Sequence, residues 1–294
     1  MSSINLPIII YPCTYDNINK IDQDYKFEQD IAKELGFLIY LFNYDNFVLG
    51  DKLKLNFGIN NDTKEYIAIY RGWMLTLEQY TRLYNELLTY NIKLINTPTE
   101  YRNTHYYPYS ANILTSVAPN TIWFPKGKKI DWNLVRKTMN KVVVKDYVKS
   151  VKGFDFPEYL ETDMTDDELN TYIDKFIQLR GDLYQGGIVL KEYVELDKKD
   201  NKTHEFRGFY INGKCELMYA NSDNKEDIVP QFISNNIYTK SLGSNFYTVD
   251  FARVEKECNS YFVVECGDGQ VSGLPSEKEA RDLYNAIYKA YQRG

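Results

Sequence analysis

Short apolar runs alternate with stretches of helical periodicity through the first hundred residues of the chain. Phe27, Ile31 and Leu35 recur at helical spacing, and Thr76 with Gln79 forms a capping box ahead of a second helix. The apolar runs have the length of buried strands and cover residues 6–12, 37–43, 66–70 and 93–96. Strands that alternate with helices in this way predict a parallel sheet with helices packed over its faces.

The remainder of the chain follows a different pattern. An apolar strand at 142–144 lies inside a basic segment, Lys126 to Lys152, and a helix begins after Thr165 and ends at Gly181. Asn212-Gly213 is a strong signal for a two-residue hairpin. The final third predicts antiparallel strands at 186–196, 206–211, 214–220, 246–254 and 261–266, followed by a terminal helix capped by Ser276.

Composition excludes several classes of protein. With 44% hydrophobic and 26% charged residues and a net charge of −6, the chain is typical of globular proteins rather than disordered or fibrous ones. No apolar stretch is long enough to span a membrane, and the N-terminal run breaks at Pro12 without the basic residues of a secretory signal. The four cysteines lack CxxC spacing and His105 and His204 lie far apart, so we expect no zinc site, and reduced thiols in a cytoplasmic setting.

Three groups of residues indicate chemistry, and the first is a basic cluster. Lys145 ends a buried-type strand, and Lys149, Ser150, Lys152 and Gly153 follow in a turn. Several converging ammonium, hydroxyl and backbone donors suit a polyphosphate, although the GxxxxGK[ST] loop is absent. A lysine-rich surface loop explains the same residues.

The second group is an apolar strand that also carries charge. Lys191 and Glu192 lie within it, and Tyr193, Val194 and Glu195 follow. Burial of charge is costly without a partner, and a nucleotide would supply one. Backbone near Tyr193 and Val194 could then contact adenine and Glu195 the ribose, whereas an ordinary half-exposed strand accounts for the residues equally well.

The third group consists of carboxylates on two successive strands. Asp250 lies on one strand, and Glu265 and Asp268 lie at the end of the next, with Gly267 and Gly269 beside them. Carboxylates that converge repel one another unless a cation is present, and oxygen-only ligands suit Mg²⁺. The alternative is an acidic hairpin end with no ligand.

The order of these groups resembles the ATP-grasp superfamily, and most closely a RimK-related clade found in phages, large viruses and bacteria. The strings that carry the resemblance are VVVKDYVKSVKG, GGIVLKEYVEL, EFRGFYING, VDFA and VVECGDGQVSGLP. The resemblance implies an α/β (α+β) chain, in which an ATP-grasp fold of two α/β subdomains follows a small Rossmann-like pre-ATP-grasp domain. The expected boundaries are 1–112 for the first domain, 113–185 for the small subdomain and 186–294 for the large subdomain with the metal site.

The resemblance also implies roles for individual residues. Arg207 and Lys145 would be catalytic, and Asp250, Glu265 and Asp268 would hold Mg²⁺. Many ATP-grasp enzymes have Asn two residues after the metal-binding Glu, where this chain has Gly267. The residues implied in ATP binding are Lys145, Lys149, Ser150, Lys152, Lys191, Glu192, Tyr193, Val194 and Glu195.

The expected activity is ligation of a carboxylate to an amine through an acyl phosphate, with ATP and Mg²⁺ as cofactors. The partner would be an amino acid, a peptide or a protein, and Arg71 and Arg102 are candidates for contact with it. The basic segment leaves modification of a nucleic acid as an alternative, which the overall acidity disfavours. An inert ATP-binding module is a further alternative, and no membrane partner is expected.

Overall fold

The computed structural model describes residues 6–57, 64–151, 153, 155–199, 202–221, 237–254 and 260–292. Its N-terminal sheet confirms the predicted parallel arrangement. In this sheet β1 pairs in parallel with β3 and β4, β4 pairs in parallel with β5, and only the short β2 is antiparallel. The strands are β1 (Ile8–Thr14), β2 (Asn17–Ile21), β3 (Ile39–Phe42), β4 (Tyr66–Tyr70) and β5 (Ile92–Leu94).

Helices cover both faces of this sheet. Ile9 and Tyr11 of β1 pack into one hydrophobic cluster, whereas Ile8 and Ile10 pack into another, as the alternation of side chains along a strand requires. Capping boxes at Thr76 and at Thr97 begin two of the helices. The helices are α1 (Lys26–Glu34), α2 (Tyr44–Val48), α3 (Leu77–Leu88), α4 (Pro98–His105) and α5 (Tyr107–Ile113).

A second sheet is antiparallel and has the order β6-β9-β7-β8. Its strands are β6 (Thr121–Pro125), β7 (Lys141–Lys145), β8 (Leu160–Glu161) and β9 (Gly187–Glu192), and α6 (Trp132–Arg136) and α7 (Asp166–Arg180) contribute to its core. The expected subdomain boundary before residue 186 cuts this sheet, because β9 forms hydrogen bonds with both β6 and β7. We therefore propose that the small subdomain continues to Glu192.

A third sheet, with the order β13-β12-β14-β15, is antiparallel throughout. Its strands are β12 (Glu205–Ile211), β13 (Lys214–Ala220), β14 (Phe246–Arg253) and β15 (Tyr261–Asp268). Asn212 and Gly213 both have positive φ, at 50° and 75°, so the predicted hairpin turn between β12 and β13 is confirmed. Two short strands, β10 (Lys198–Lys199) and β11 (Lys202–Thr203), form a separate ladder.

The C-terminal helix α8 (Glu277–Gln292) packs against α1, β12 and β13 and contacts β1 through Tyr284. The hydroxyl groups of Tyr284 and Tyr11 lie 2.5 Å apart, and the Tyr284 hydroxyl donates to Glu28 Oε2 at 2.9 Å. The same hydrophobic cluster includes Phe209 and Phe246 of the third sheet, so the two ends of the chain share one core. No helix within the described ranges is long and apolar enough to cross a bilayer.

Candidate functional site

Two neighbouring strands of the third sheet bring two carboxylates side by side. Asp250 on β14 lies opposite Glu265 on β15, so both side chains leave the same face of the sheet. Arg207 lies opposite Asp250 on β12 and donates from Nε and Nη2 to the two Asp250 oxygens, both at 2.7 Å. Three charged side chains therefore form a row across three strands.

The second sheet supplies two lysines that face this row. Lys191 lies opposite Val143, and Lys145 follows Val143 by two residues, so both lysines lie on the same face of the second sheet. Lys145 Nζ donates to Glu265 Oε1 at 3.2 Å. Lys191 Nζ donates at 2.6 Å to the carbonyl of Val264, which the irregular β14–β15 register leaves without an opposite residue.

The combined effect of burial and neighbouring charges lowers the pKa values of both Lys191 and Glu265. Burial and the adjacent Lys145 ammonium together lower the pKa of Lys191 to about 7, against the attraction of Glu265. Burial alone would raise the pKa of Glu265, but Lys145, Lys149 and Arg207 outweigh it and lower the pKa to about 2. Glu265 is therefore a carboxylate at neutral pH, whereas Lys191 exchanges its proton near neutrality.

The two lysines and the two carboxylates all line one cavity of about 420 Å³. Most of the residues that the sequence predicted for nucleotide and metal binding belong to this lining: Lys145, Ser150, Lys191, Glu192, Tyr193, Val194, Asp250 and Glu265. Three other residues expected to bind ATP are not among them. Glu195 is exposed and, like Lys149, is not part of the lining, and Lys152 lies outside the described residues.

The loop that carries Lys149 and Ser150 is organised by Asp146, a residue that sequence reasoning missed. Asp146 is fully buried, and its Oδ1 accepts hydrogen bonds from the backbone N–H groups of Val148 and Lys149, both at 2.7 Å. Its Oδ2 accepts from Arg180 Nε at 2.9 Å. An Asp that binds the backbone two and three residues ahead is typical of a turn, and this preference is the signal that could have revealed it.

A smaller cavity of about 80 Å³ adjoins the carboxylate row. Asp250 and Glu265 line both cavities, whereas Lys149 and Arg207 line only the smaller one. Its remaining lining includes His105, which sequence analysis considered only as a zinc ligand, and Met74, Thr248, Gly267 and Ser272. The smaller cavity is therefore lined both by the end of α4 and by the edge of the third sheet.

The third predicted metal ligand, Asp268, lies on the other face of β15. It follows Glu265 by three residues and points away, because side chains alternate along a strand. Asp268 is fully buried and accepts hydrogen bonds from Asn96 Nδ2 at 2.6 Å and from the Gln270 backbone at 2.9 Å. Burial raises its pKa to about 7 against the effect of these bonds. Asp268 therefore ties β15 to the N-terminal sheet, a placement that does not support the prediction that it is a metal ligand.

The two arginines expected to bind substrate also have other partners. Arg71 is 1% exposed and donates to both carboxylate oxygens of Glu28, at 2.9 and 2.8 Å, and to the carbonyls of Gly269 and Ser272. The guanidinium of Arg102 lies 4.5 Å from the centre of the Tyr109 ring. Neither arginine belongs to the described lining of either cavity, and their contact with a substrate stays a prediction.

The donor set that remains fits a divalent cation such as Mg²⁺. Asp250 and Glu265 present only oxygen atoms, and the cations Arg207 and Lys145 now balance their charge. Among the described residues no group of three or more His, Cys, Asp or Glu side chains could hold a metal ion, so the fit rests on these two carboxylates. Mg²⁺ commonly binds one or two carboxylates and completes its coordination with water and substrate phosphates.

Comparisons with known proteins identify the family of the chain and support its fold. A family model described as an ATP-grasp domain, family 3 of a RimK-related clade, matches residues 132–287. A RimK domain ATP-grasp protein from Sphaerobacter thermophilus DSM 20745 has a TM-score of 0.59 at 10% identity and covers 96% of this chain and 98% of its own. The D-alanine–D-alanine ligase from Coxiella burnetii has a TM-score of 0.59 at 12% identity, covering 98% of this chain and 96% of its own.

The ATP-grasp ligase PsnB, complexed with precursor peptide PsnA2 and AMPPNP, has a TM-score of 0.57 at 12% identity and covers 99% of both chains. Comparison with curated protein sequences gave no match. At these identities the structural similarity supports the fold alone, whereas the family model spans more than half of the chain. The chain belongs to the ATP-grasp superfamily, in family 3 of this RimK-related clade.

Proposed function

We propose that this protein is an ATP-dependent ligase that joins a carboxylate to an amine through an acyl phosphate. The observation that carries the proposal is the cavity of about 420 Å³, which Lys145 and Lys191 of the second sheet and Asp250 and Glu265 of the third sheet all line. Its volume lies within the range of ~300–1,000 Å³ that is usual for small-molecule sites. Cations and carboxylates that line the same cavity suit a metal-bound polyphosphate.

The residues of the second sheet and of the loop after β7 would bind and orient ATP. Lys145 and Lys191 would contact the phosphates, Ser150 would add a donor from the loop that Asp146 organises, and Lys149 would add its ammonium from the adjoining smaller cavity. Glu192, Tyr193 and Val194 line the same cavity and would contact the adenine. Lys191 is suited to this place because a polyphosphate favours its ammonium form, which burial disfavours in the ligand-free protein.

The residues of the third sheet would act on the transferred phosphate. In the first step a substrate carboxylate oxygen bonds to the γ-phosphorus as the bond to the ADP oxygen breaks. In the second, the amine nitrogen bonds to the carbonyl carbon as phosphate leaves. Arg207 would stabilise the charge on the phosphoryl oxygens. Mg²⁺ held by Asp250 and Glu265 would supply charge neutralisation at the phosphates.

The structural neighbours support an amino acid or peptide as the substrate class. One of them is a D-alanine–D-alanine ligase, and another is complexed with a precursor peptide. Their resemblance to this chain extends over nearly its whole length. We therefore propose that the substrate carboxylate belongs to an amino acid, a peptide or a protein.

Mass spectrometry tests this function directly. Cell extract is incubated with the enzyme and Mg-ATP, and the expected product is lighter by one water than the sum of two components. Glu265→Gln should abolish both the product and ADP release, while Glu277→Gln, on an exposed helix start, should retain both. Binding of a nonhydrolysable ATP analogue without any ADP release or new product would instead indicate an inert nucleotide-binding module.

A further inference from the structure

Tyr107, the first residue of α5, lies beside both lysines of the candidate site. Nζ of Lys145 is 4.4 Å from the centre of the Tyr107 ring, and Nζ of Lys191 is 5.3 Å from it. Both distances fall within the ~6 Å over which the electron-rich face of an aromatic ring attracts an ammonium group. One ring therefore contacts the two ammonium groups that we propose for the ATP phosphates.

The position of Tyr107 is fixed by its packing and by its backbone. The residue is 3% exposed and packs with Tyr147 and Val189 in one hydrophobic cluster. Its backbone N–H donates to the carbonyl of Tyr147 at 2.7 Å, which ties α5 to the loop after β7. Val189 lies opposite Lys145 and precedes Lys191 by two residues, so the ring packs on the face of the second sheet that carries both lysines.

The ring attracts the lysines without a negative charge. Burial raises the pKa of Tyr107 above its ordinary value, so the phenol is uncharged at neutral pH. The ammonium of Lys145 also donates to Glu265, and that of Lys191 donates to the Val264 carbonyl. A phosphate can replace such acceptors and leave the ring contact in place, because an uncharged ring competes with a phosphate far less than a carboxylate does.

Tyr107 does not belong to the described lining of the cavity of about 420 Å³, whereas Lys145 and Lys191 both line it. A nucleotide in this cavity would therefore contact the ammonium groups and not the ring. Tyr107 can affect the nucleotide only through the lysines, so it is a positioning residue and not a catalytic one.

The helix that carries Tyr107 also reaches the third sheet. Leu114 directly follows α5 and is 1% exposed, in the hydrophobic cluster that includes Phe251 of β14 and Val263 of β15. One short helix thus has the lysines of the second sheet at its beginning and the core of the carboxylate-bearing sheet at its end. The position of the Tyr107 ring is therefore defined relative to both sheets.

We propose that the Tyr107 ring holds the ammonium groups of Lys145 and Lys191 in the arrangement that binds the phosphates of ATP. This inference rests on the proposed function. The two ammonium groups repel each other, and a flexible lysine side chain loses rotational freedom when a ligand immobilises it. The ring offsets the repulsion and restricts both side chains before ATP binds, so its contribution should appear in the affinity for ATP.

Lysine NMR tests the contact in the ligand-free protein. The protein is labelled with ¹³C-lysine, and Lys145→Met and Lys191→Met identify the two Cε–Hε signals. Protons above an aromatic ring resonate upfield, so both signals should be shifted upfield and should return toward the usual lysine position in Tyr107→Leu. Signals that lack this shift, or that Tyr107→Leu leaves unchanged, would overturn the inference whether or not the protein is a ligase.

A fluorinated series separates the electrostatic effect of the ring from its volume. Phenylalanine and its mono-, di- and trifluoro derivatives are placed at position 107, because each fluorine withdraws electrons from the ring face and changes the shape little. Calorimetry measures the affinity for a nonhydrolysable ATP analogue with Mg²⁺. Tyr107→Phe should bind the analogue nearly as well as the native protein, and the trifluoro derivative should bind it about 10-fold more weakly, with the others between. An affinity that stays constant along the series would show that the ring only packs, which contradicts the proposal.

The same derivatives at position 176 are the matched control. Phe176 is fully buried in the apolar core of the second sheet, so fluorination there should leave the affinity for the analogue unchanged. An equal loss of affinity at both positions would indicate a general disturbance of the sheet and would refute the role of Tyr107. A native protein that does not bind the analogue would contradict the proposed function, whereas the lysine signals would still decide whether the ring holds the lysines. If Tyr107→Leu does not fold, the fluorinated series, which preserves the shape of the ring, decides the question.

Discussion

Replacement of Arg71 by methionine separates a structural role from a substrate-binding one. In the structure Arg71 Nε and Nη2 donate to Glu28, and Nη1 donates to the carbonyls of Gly269 and Ser272 at 2.6 and 2.9 Å. The Arg71→Met substitution removes all four bonds and leaves the buried Glu28 carboxylate with the Tyr284 hydroxyl as a partner. Loss of one partner from a buried ion pair costs ~3–5 kcal/mol, so we expect the free energy of unfolding to fall by that amount.

Urea denaturation followed by circular dichroism measures this change. Arg281→Met is the matched control, because Arg281 pairs with Glu34 at the surface and should contribute less than ~1 kcal/mol. The double substitution Arg71→Met with Glu28→Met should be less destabilising than Arg71→Met alone, since no uncompensated charge remains. A loss below ~1 kcal/mol in Arg71→Met, accompanied by loss of substrate affinity, would refute the structural role.

Three further predictions concern the cavities. Lys145→Met should reduce ADP formation by ~10²–10³-fold in a coupled assay, as expected when a well-placed charge donor is removed. In the folded ligand-free protein the pKa of Lys191 is about 7, whereas its ordinary value is 10.5. Between these two pH values the unfolded chain therefore binds more protons than the folded one. The free energy of unfolding of the ligand-free protein should increase as pH rises through this range. At pH 8, binding of an ATP analogue should take up a proton, measured by calorimetry in two buffers, and Lys191→Met should abolish that uptake. Gly267→Ala should lower the free energy of unfolding by ~1–3 kcal/mol, measured by thermal or urea unfolding, because the added Cβ would lie 2.9 Å from Ser272 Oγ. Gly273→Ala is the control and should change the free energy of unfolding little, because no atom lies within 4 Å of its added Cβ.

Local sequence patterns predicted the elements well where neighbouring residues determine them. The capping boxes at Thr76 and Thr165 depend on contacts three residues apart, and both are present in the structure. The Asn212-Gly213 turn depends on positive φ at two adjacent residues, which these types tolerate. The strand β6, in contrast, was not predicted, although Thr121–Pro125 is a short β-type run.

Side-chain partners that are distant in the sequence could not be predicted from local patterns. Arg71 was correctly placed at the end of a strand, but its partner Glu28 lies on another element, and only the packed fold brings the two together. Asp268 follows Glu265 closely in the sequence, yet strand alternation separates them and Asn96, 172 residues away, binds it instead.

The glycine at position 267, where the resemblance to ATP-grasp enzymes would place Asn, has a steric explanation. Gly267 lies on the same face of β15 as Glu265, two residues along the strand. A Cβ at this position would lie 2.8 Å from Thr248 Oγ1, so the hydroxyl pair of Thr248 and Ser272 occupies the space that a side chain would need. We infer that any variant with Asn at this position requires a smaller residue at 248 or 272.

The packing of α8 against β1 has a consequence for how the polypeptide acquires its structure during synthesis. Tyr11 and Tyr284, whose hydroxyl groups meet in the core, are separated by 273 residues. While the ribosome is still producing the middle of the chain, α1 packs on this face of the first sheet without α8, so the apolar surface that α8 buries remains exposed. Contacts of such large sequence separation slow folding, so the nascent N-terminal sheet would depend on chaperones or on the late arrival of α8 to escape aggregation.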